Sequence, residues 1–139
     1  MAKRKRRWIP APPKKAKPKI PDSLRVELTE KANELIETRF KPWKLDFDKS
    51  FEEKGFNYVV DIYTTWWRSY LYFCSKYRCP APDALSEYFE ARFARMEYVA
   101  DGRFNVSYMR HTGQWQEVYR AMTMEESLET IENEQIFWP

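Results

Sequence analysis

The chain has 139 residues, with 24 Lys and Arg against 21 Asp and Glu, for a net charge of +3. Two cysteines, Cys74 and Cys79, are too few for a disulfide framework and fit a reducing compartment. No apolar run of roughly 18 residues predicts a membrane span, and the basic start leads into prolines rather than an apolar signal core, so the expected location is cytoplasmic.

The first segment, residues 1–21, reads MAKRKRRWIPAPPKKAKPKIP. It holds Lys3, Arg4, Lys5, Arg6, Arg7, Lys14, Lys15, Lys17 and Lys19, nine of the basic residues and none of the acidic ones. The rest of the chain therefore carries a net charge of −6. Five prolines remove backbone donors and block helix, and like charges extend the chain. A disordered basic tail ahead of a single α+β domain over 22–139 is the expected organisation.

Residues 22–40 predict a helix. Asp22 or Ser23 can accept from its first free amides, and Leu24, Leu28, Ala32, Leu35 and Phe40 give one apolar stripe. Lys41-Pro42 is expected to stop it, leaving an irregular segment up to Gly55. Residues 56–65 and 66–78 are dense in Tyr, Trp, Val, Ile and Phe, and read as a hairpin turning near Thr64–Trp67 or as one long bent strand.

Pro80-Ala81-Pro82-Asp83 breaks the pattern. Residues 88–99 follow as a strand, then the Asp101-Gly102 turn signal and a strand over 104–111. Thr112-Gly113 turns the chain into a strand over 115–121. TMEESLETIENE opens with a capping box, Thr123 with Glu126, and puts Met124, Leu128 and Ile131 inward. The apolar terminus IFWP is expected to dock. The sum is an antiparallel meander of four to five strands flanked by an N-terminal and a C-terminal helix.

The stretches FNYVVDIYTTWWRSYLYF, FARMEY, FNVSYMRHTGQW and ENEQIFWP, within about residues 56–139, resemble a small family of uncharacterised bacterial proteins. The resemblance implies a bacterial cytoplasmic protein, which argues against a nuclear address in the tail. It carries no activity and no functional residue with it.

Function must then be read from the residues. Clustered Lys and Arg neutralise phosphates and release counterions, and Trp8 beside Arg7 offers a ring for an exposed base. In the second strand, alternation places Trp66, Arg68, Tyr70, Tyr72, Cys74, Lys76 and Arg78 on one face. Aromatic rings interleaved with cations are what single-strand stacking platforms use, although a purely structural face has the same composition.

Cys74, Cys79 and His111 are three soft ligands where a structural zinc site needs four, so no metal or other cofactor is expected. Three glycines exclude a glycine-rich phosphate loop, and no nucleophile elbow or HExxH occurs. The expectation is a small accessory protein that binds RNA or DNA, without strong sequence preference, through its basic tail. The α+β domain adds a second contact or a docking surface. The rival is a protein-interaction module using the aromatic sheet face, and a small enzyme is the third reading.

Overall fold

The computed structural model describes residues 18–139. The expectations placed on Lys3, Arg4, Lys5, Arg6, Arg7, Trp8, Lys14, Lys15 and Lys17, and on disorder of the tail, lie outside the described residues. Lys19 is exposed immediately ahead of Ile20, which is buried in the core.

Helix α1 spans Asp22–Leu35 and buries Leu28, Ala32 and Leu35 as the stripe requires. Its cap is neither Asp22 nor Ser23. Pro21 holds that position, with φ −58° and ψ 141°, and its carbonyl accepts from the Arg25 N–H at 3.0 Å. The proline ring fixes φ where the chain enters the helix, and Asp22 becomes the first helical residue.

The expected stop at Pro42 is also corrected. Residues Ile36–Phe40 form one π-helical turn, in which the Lys41 N–H reaches back to the Ile36 carbonyl. Helix α2, Lys41–Phe47, then carries Pro42 in its first turn, and α3 spans Lys49–Glu53. A proline inside a regular helix clashes with the carbonyl four residues back. A widened turn over the five residues Ile36–Phe40, separated from Pro42 only by Lys41, is a local adjustment that accommodates it.

Five strands follow: β1 Tyr58–Trp67, β2 Tyr70–Arg78, β3 Tyr88–Ala100, β4 Arg103–Met109 and β5 Trp115–Thr123. They pair in sequence order, all antiparallel, as the expected meander. Asp101 and Gly102 both take positive φ, +48° and +71°, between paired Ala100 and Arg103. That is the backbone a two-residue primed turn demands. The first hairpin does not turn near Thr64–Trp67. Trp67 pairs directly with Tyr70, so the turn is Arg68-Ser69, with Arg68 at φ +53°.

Helix α4, Met124–Asn133, begins at the expected capping box. The Glu126 N–H donates to Thr123 Oγ1, and the Thr123 N–H donates to Glu126 Oε1, both at 3.1 Å. A short 3-10 turn, Gln135–Phe137, docks the C-terminus by burying Phe137. The core lies between the helices and one face of the sheet. Leu28, Ile36, Phe40, Ile131 and Phe137 meet Ile62, Leu71, Phe73, Met96, Phe104 and Val106 there.

One polar device sits inside this layer. Lys44 Nζ and Asp48 Oδ1 pair at 3.1 Å, with both side chains close to fully buried. The other carboxylate oxygen of Asp48 accepts from the Val59 N–H at 2.8 Å, so the pair ties α2 to the start of β1.

Candidate functional site

Among the described residues, the second sheet face carries no helix. Residues paired across antiparallel strands share a face, so the ladder identifies its occupants. Trp67 opposes Tyr70 and Tyr63 opposes Cys74. Glu97 opposes Tyr70, Arg95 opposes Tyr72, Arg92 opposes Cys74, and Glu90 opposes Lys76. Trp115 joins them from β5, packed against Tyr72.

The rings form a row. Trp67 and Tyr70 are 5.9 Å apart between centroids, Tyr70 and Tyr72 stack at 6.0 Å, and Tyr72 meets Trp115 at 5.7 Å. Cations lie over them. Arg68 is 4.6 Å from Trp67, Arg92 is 4.2 Å from Tyr72, and Lys76 is 4.6 Å from Tyr88. Arg95 contacts two rings, Trp115 at 4.7 Å and Tyr70 at 5.3 Å. Each such contact contributes about 0.5–1 kcal/mol where exposed and more where desolvated. The Arg95 Nε is buried and makes no hydrogen bond among the described residues.

The placement of the expected face residues is mixed. Tyr70 and Tyr72 do share the uncovered face, but both are buried. Lys76 and Arg78 follow them, and Arg78 is engaged by the Tyr58 hydroxyl at 3.4 Å and by Glu87 at 3.7 Å. Trp66 does not belong with them. It pairs with Leu71, packs against the main core, and donates from Nε1 to Thr29 Oγ1 at 2.8 Å under the Arg25 guanidinium. Arg68 is in the turn itself. The reason is the two-residue turn, which ends the alternation that a continuous strand through 66–70 would keep. Arg92 and Arg95, absent from the sequence expectation, occupy the centre instead. Period-two alternation along FEARFAR does not single them out, because the ladder slips between Phe73 and Cys74.

A cavity of about 440 Å3 opens on this face, lined by Tyr63, Thr65, Cys74, Glu90, Ala91 and Arg92. Burial pushes the Cys74 thiol up, against the pull of Arg92. Burial, with the neighbouring Glu90 carboxylate, also raises the Tyr63 phenol well above its ordinary value. Both therefore stay protonated at neutral pH, and Tyr63 remains a donor.

The described chain begins at the β1–β2 turn, with Ile20 packed into the helix-side core. Ser69 Oγ donates to the Pro18 carbonyl and accepts from the Ile20 N–H, each at 3.2 Å. Pro18 and Ile20 are thus held at the turn carrying Trp67 and Arg68.

A different surface carries exposed aromatics on the helical side. Phe56, Phe51, Phe47, Trp43 and Trp138 touch in series, with Trp43 and Trp138 4.8 Å apart. Phe47 is 54% exposed and Phe56 57%.

His111 is exposed beside the Gly113 turn, Cys74 and Cys79 are both free thiols, and no cluster among the described residues has the ligands for a metal ion. No helix among them is long and apolar enough to cross a membrane. No curated protein and no solved structure matches the chain. One family pattern does match, over residues 1–139, and the chain accordingly belongs to the family described as Domain of unknown function (DUF3024).

Proposed function

We propose that the protein binds single-stranded nucleic acid across the uncovered sheet face, with the basic N-terminal segment as an electrostatic arm. The observation that carries this reading is the pair Arg92 and Arg95, which lie over Tyr72, Tyr70 and Trp115 on a face that no helix among the described residues covers. Arg92 is exposed while it lies over Tyr72, so its N–H groups can donate to phosphate oxygens and to base edges. The bonds from Ser69 to Pro18 and Ile20 support the same reading, because eight of the basic residues precede Pro18 in sequence and Ser69 adjoins Tyr70 of this face. Contacts of this type position a strand and are tolerant of its sequence.

The test is titration of a fluorescent oligouridine across a salt series. Each phosphate contact contributes about −0.7 to the slope of log K against log salt. Arg92→Ala with Arg95→Ala should weaken binding and flatten that slope by about 1.4. Removal of residues 1–17 should flatten it further while leaving Pro18 and Ile20 in place. Equal binding by all three proteins would overturn the reading.

The exposed series from Phe56 to Trp138 favours a second reading, protein docking through the helical side. Phe47→Ser would then remove partners in a pull-down that Arg92→Ala retains.

A further inference from the structure

We propose that the cavity beside Arg92 is a guanine pocket. The inference rests on the reading above, that this face meets nucleic acid, and assigns the base that enters it.

The carboxylate is the starting point. Glu90 is exposed on the uncovered face and lines the cavity. A carboxylate repels phosphates, but it accepts from base N–H groups. Arg92 is two residues along the same strand and lines the same wall. Same-face neighbours on a strand stand about 6.6 Å apart. A cation and an anion so spaced can address neighbouring edges of one planar ring system. Cys74, buried and protonated, supplies an uncharged floor between Tyr63 and Arg92.

Of the four bases, guanine fills both ends. Its N1–H and N2–H lie side by side and can both donate to the Glu90 carboxylate. Its O6 and N7 can both accept from Arg92, the commonest specific contact made to a base edge. Adenine and cytosine each offer one amino group to the carboxylate and fewer acceptors in register. Uracil turns a carbonyl toward it on either side of its N3–H, which is repulsive. The Tyr63 hydroxyl bonds Glu90 and so steadies that carboxylate, and Thr65 lines the same wall with a hydroxyl that can bond N3 of guanine. The cavity, about 440 Å3, has room for the base and part of its ribose.

The same chemistry would also take a free guanine nucleotide, so the experiment carries both sources. Measure binding of the full chain to ten-residue oligouridine and to the same strand with one central G, A or C. Measure guanosine and uridine monophosphate separately. The expected result is roughly tenfold or more tighter binding of the G-containing strand than of oligouridine, with A and C between. Glu90→Gln should abolish that preference by weakening binding of the G-containing strand, while oligouridine binding stays the same or tightens, because a charge that repels phosphates and uracil carbonyls is removed. Its unfolding midpoint should match that of the parent, because Glu90 is at the surface.

Oligonucleotides that all bind equally would overturn the guanine pocket and leave the nucleic-acid reading standing. Strands that fail to bind while guanosine monophosphate binds, and does so less well in Glu90→Gln, would overturn the nucleic-acid reading and keep the pocket as a nucleotide site. Failure of every probe would overturn both.

Discussion

Asp48 is the residue whose loss should cost most per atom removed. Its carboxylate does two jobs at once: Oδ1 lies 3.1 Å from Lys44 Nζ as an ion pair without hydrogen-bond geometry, and Oδ2 accepts the Val59 N–H at 2.8 Å. The side chains of Asp48 and Lys44 are 3% and 11% exposed, so water cannot replace either partner. Breaking a buried pair from one side costs about 3–5 kcal/mol, because the remaining charge is left uncompensated. Asp48→Ala also orphans the Val59 N–H, and a lost acceptor for a buried amide falls in the range of about 1–3 kcal/mol. A domain of this size has about 5–15 kcal/mol in all. Asp48→Ala should therefore cost about 4–8 kcal/mol, a large share of that total, and lower the urea midpoint accordingly. Lys44→Met with Asp48→Asn removes both charges and keeps an oxygen for Val59, so it should recover to within about 1–2 kcal/mol of the parent. Urea titration followed by tryptophan fluorescence measures all of these, since Trp43 adjoins Lys44 in sequence. A loss below about 1 kcal/mol in Asp48→Ala, or strictly additive losses in the double variant, would refute the argument.

Four further outcomes are expected. Thr123→Ala removes one half of the α4 capping box and should cost about 1 kcal/mol, read as a lower melting temperature. Hydrogen bonds from Thr123 hold the Glu126 carboxyl below its ordinary 4.5, so its contribution is present above 4.5 and lost as pH falls through the lower folded value. Glu126→Gln should then flatten the stability profile over that acidic window. Ala121 sits at φ +50° while its N–H bonds Asn105 Oδ1, a backbone contact that glycine keeps. Ala121→Gly should be neutral or stabilise by about 0.5–1 kcal/mol, the left-handed strain relieved less the added chain entropy. In the native protein a thiol reagent should label Cys79, which is half-buried, well before Cys74, which is buried with its thiol pushed up. Equal labelling rates by mass spectrometry would contradict that ordering.

Much of the fold was legible because local chemistry and tertiary structure agree. Asp101-Gly102 is read correctly since few other pairs tolerate two left-handed residues, and Thr123 with Glu126 since the reciprocal bonds lie within one turn. The apolar spacing of Leu28, Ala32 and Leu35 likewise needs no distant information. The misreadings fall where a local rule was overridden. Pro42 normally ends a helix, but a widened turn ahead of it lets the helical path continue. Arg68-Ser69 has neither glycine nor asparagine to announce a turn, so the parity of Trp66 was assigned to the wrong face. Arg92 and Arg95 were missed because their juxtaposition with Tyr72 and Trp115 depends on cross-strand register and on a slip in the ladder, which no single stretch of sequence records.

The π-helical turn has a consequence for how this chain tolerates changes in length. A regular helix turns about 100° per residue, so a spacing of four overshoots one full turn by about 40°. Ile36, Phe40, Lys44 and Asp48 are spaced by four and are all buried. The wider turn at Ile36–Phe40 takes up part of that overshoot and keeps α1 and α2 in phase over the sheet. Deleting one residue there would give a tidier helix and a worse protein. Everything downstream would rotate by about a quarter turn, carrying Lys44 and Asp48 away from Val59. Residues 36–40 should accordingly admit many substitutions at their exposed positions and no deletion, a pattern that a scan of single-residue deletions would reveal as a sharp local gap.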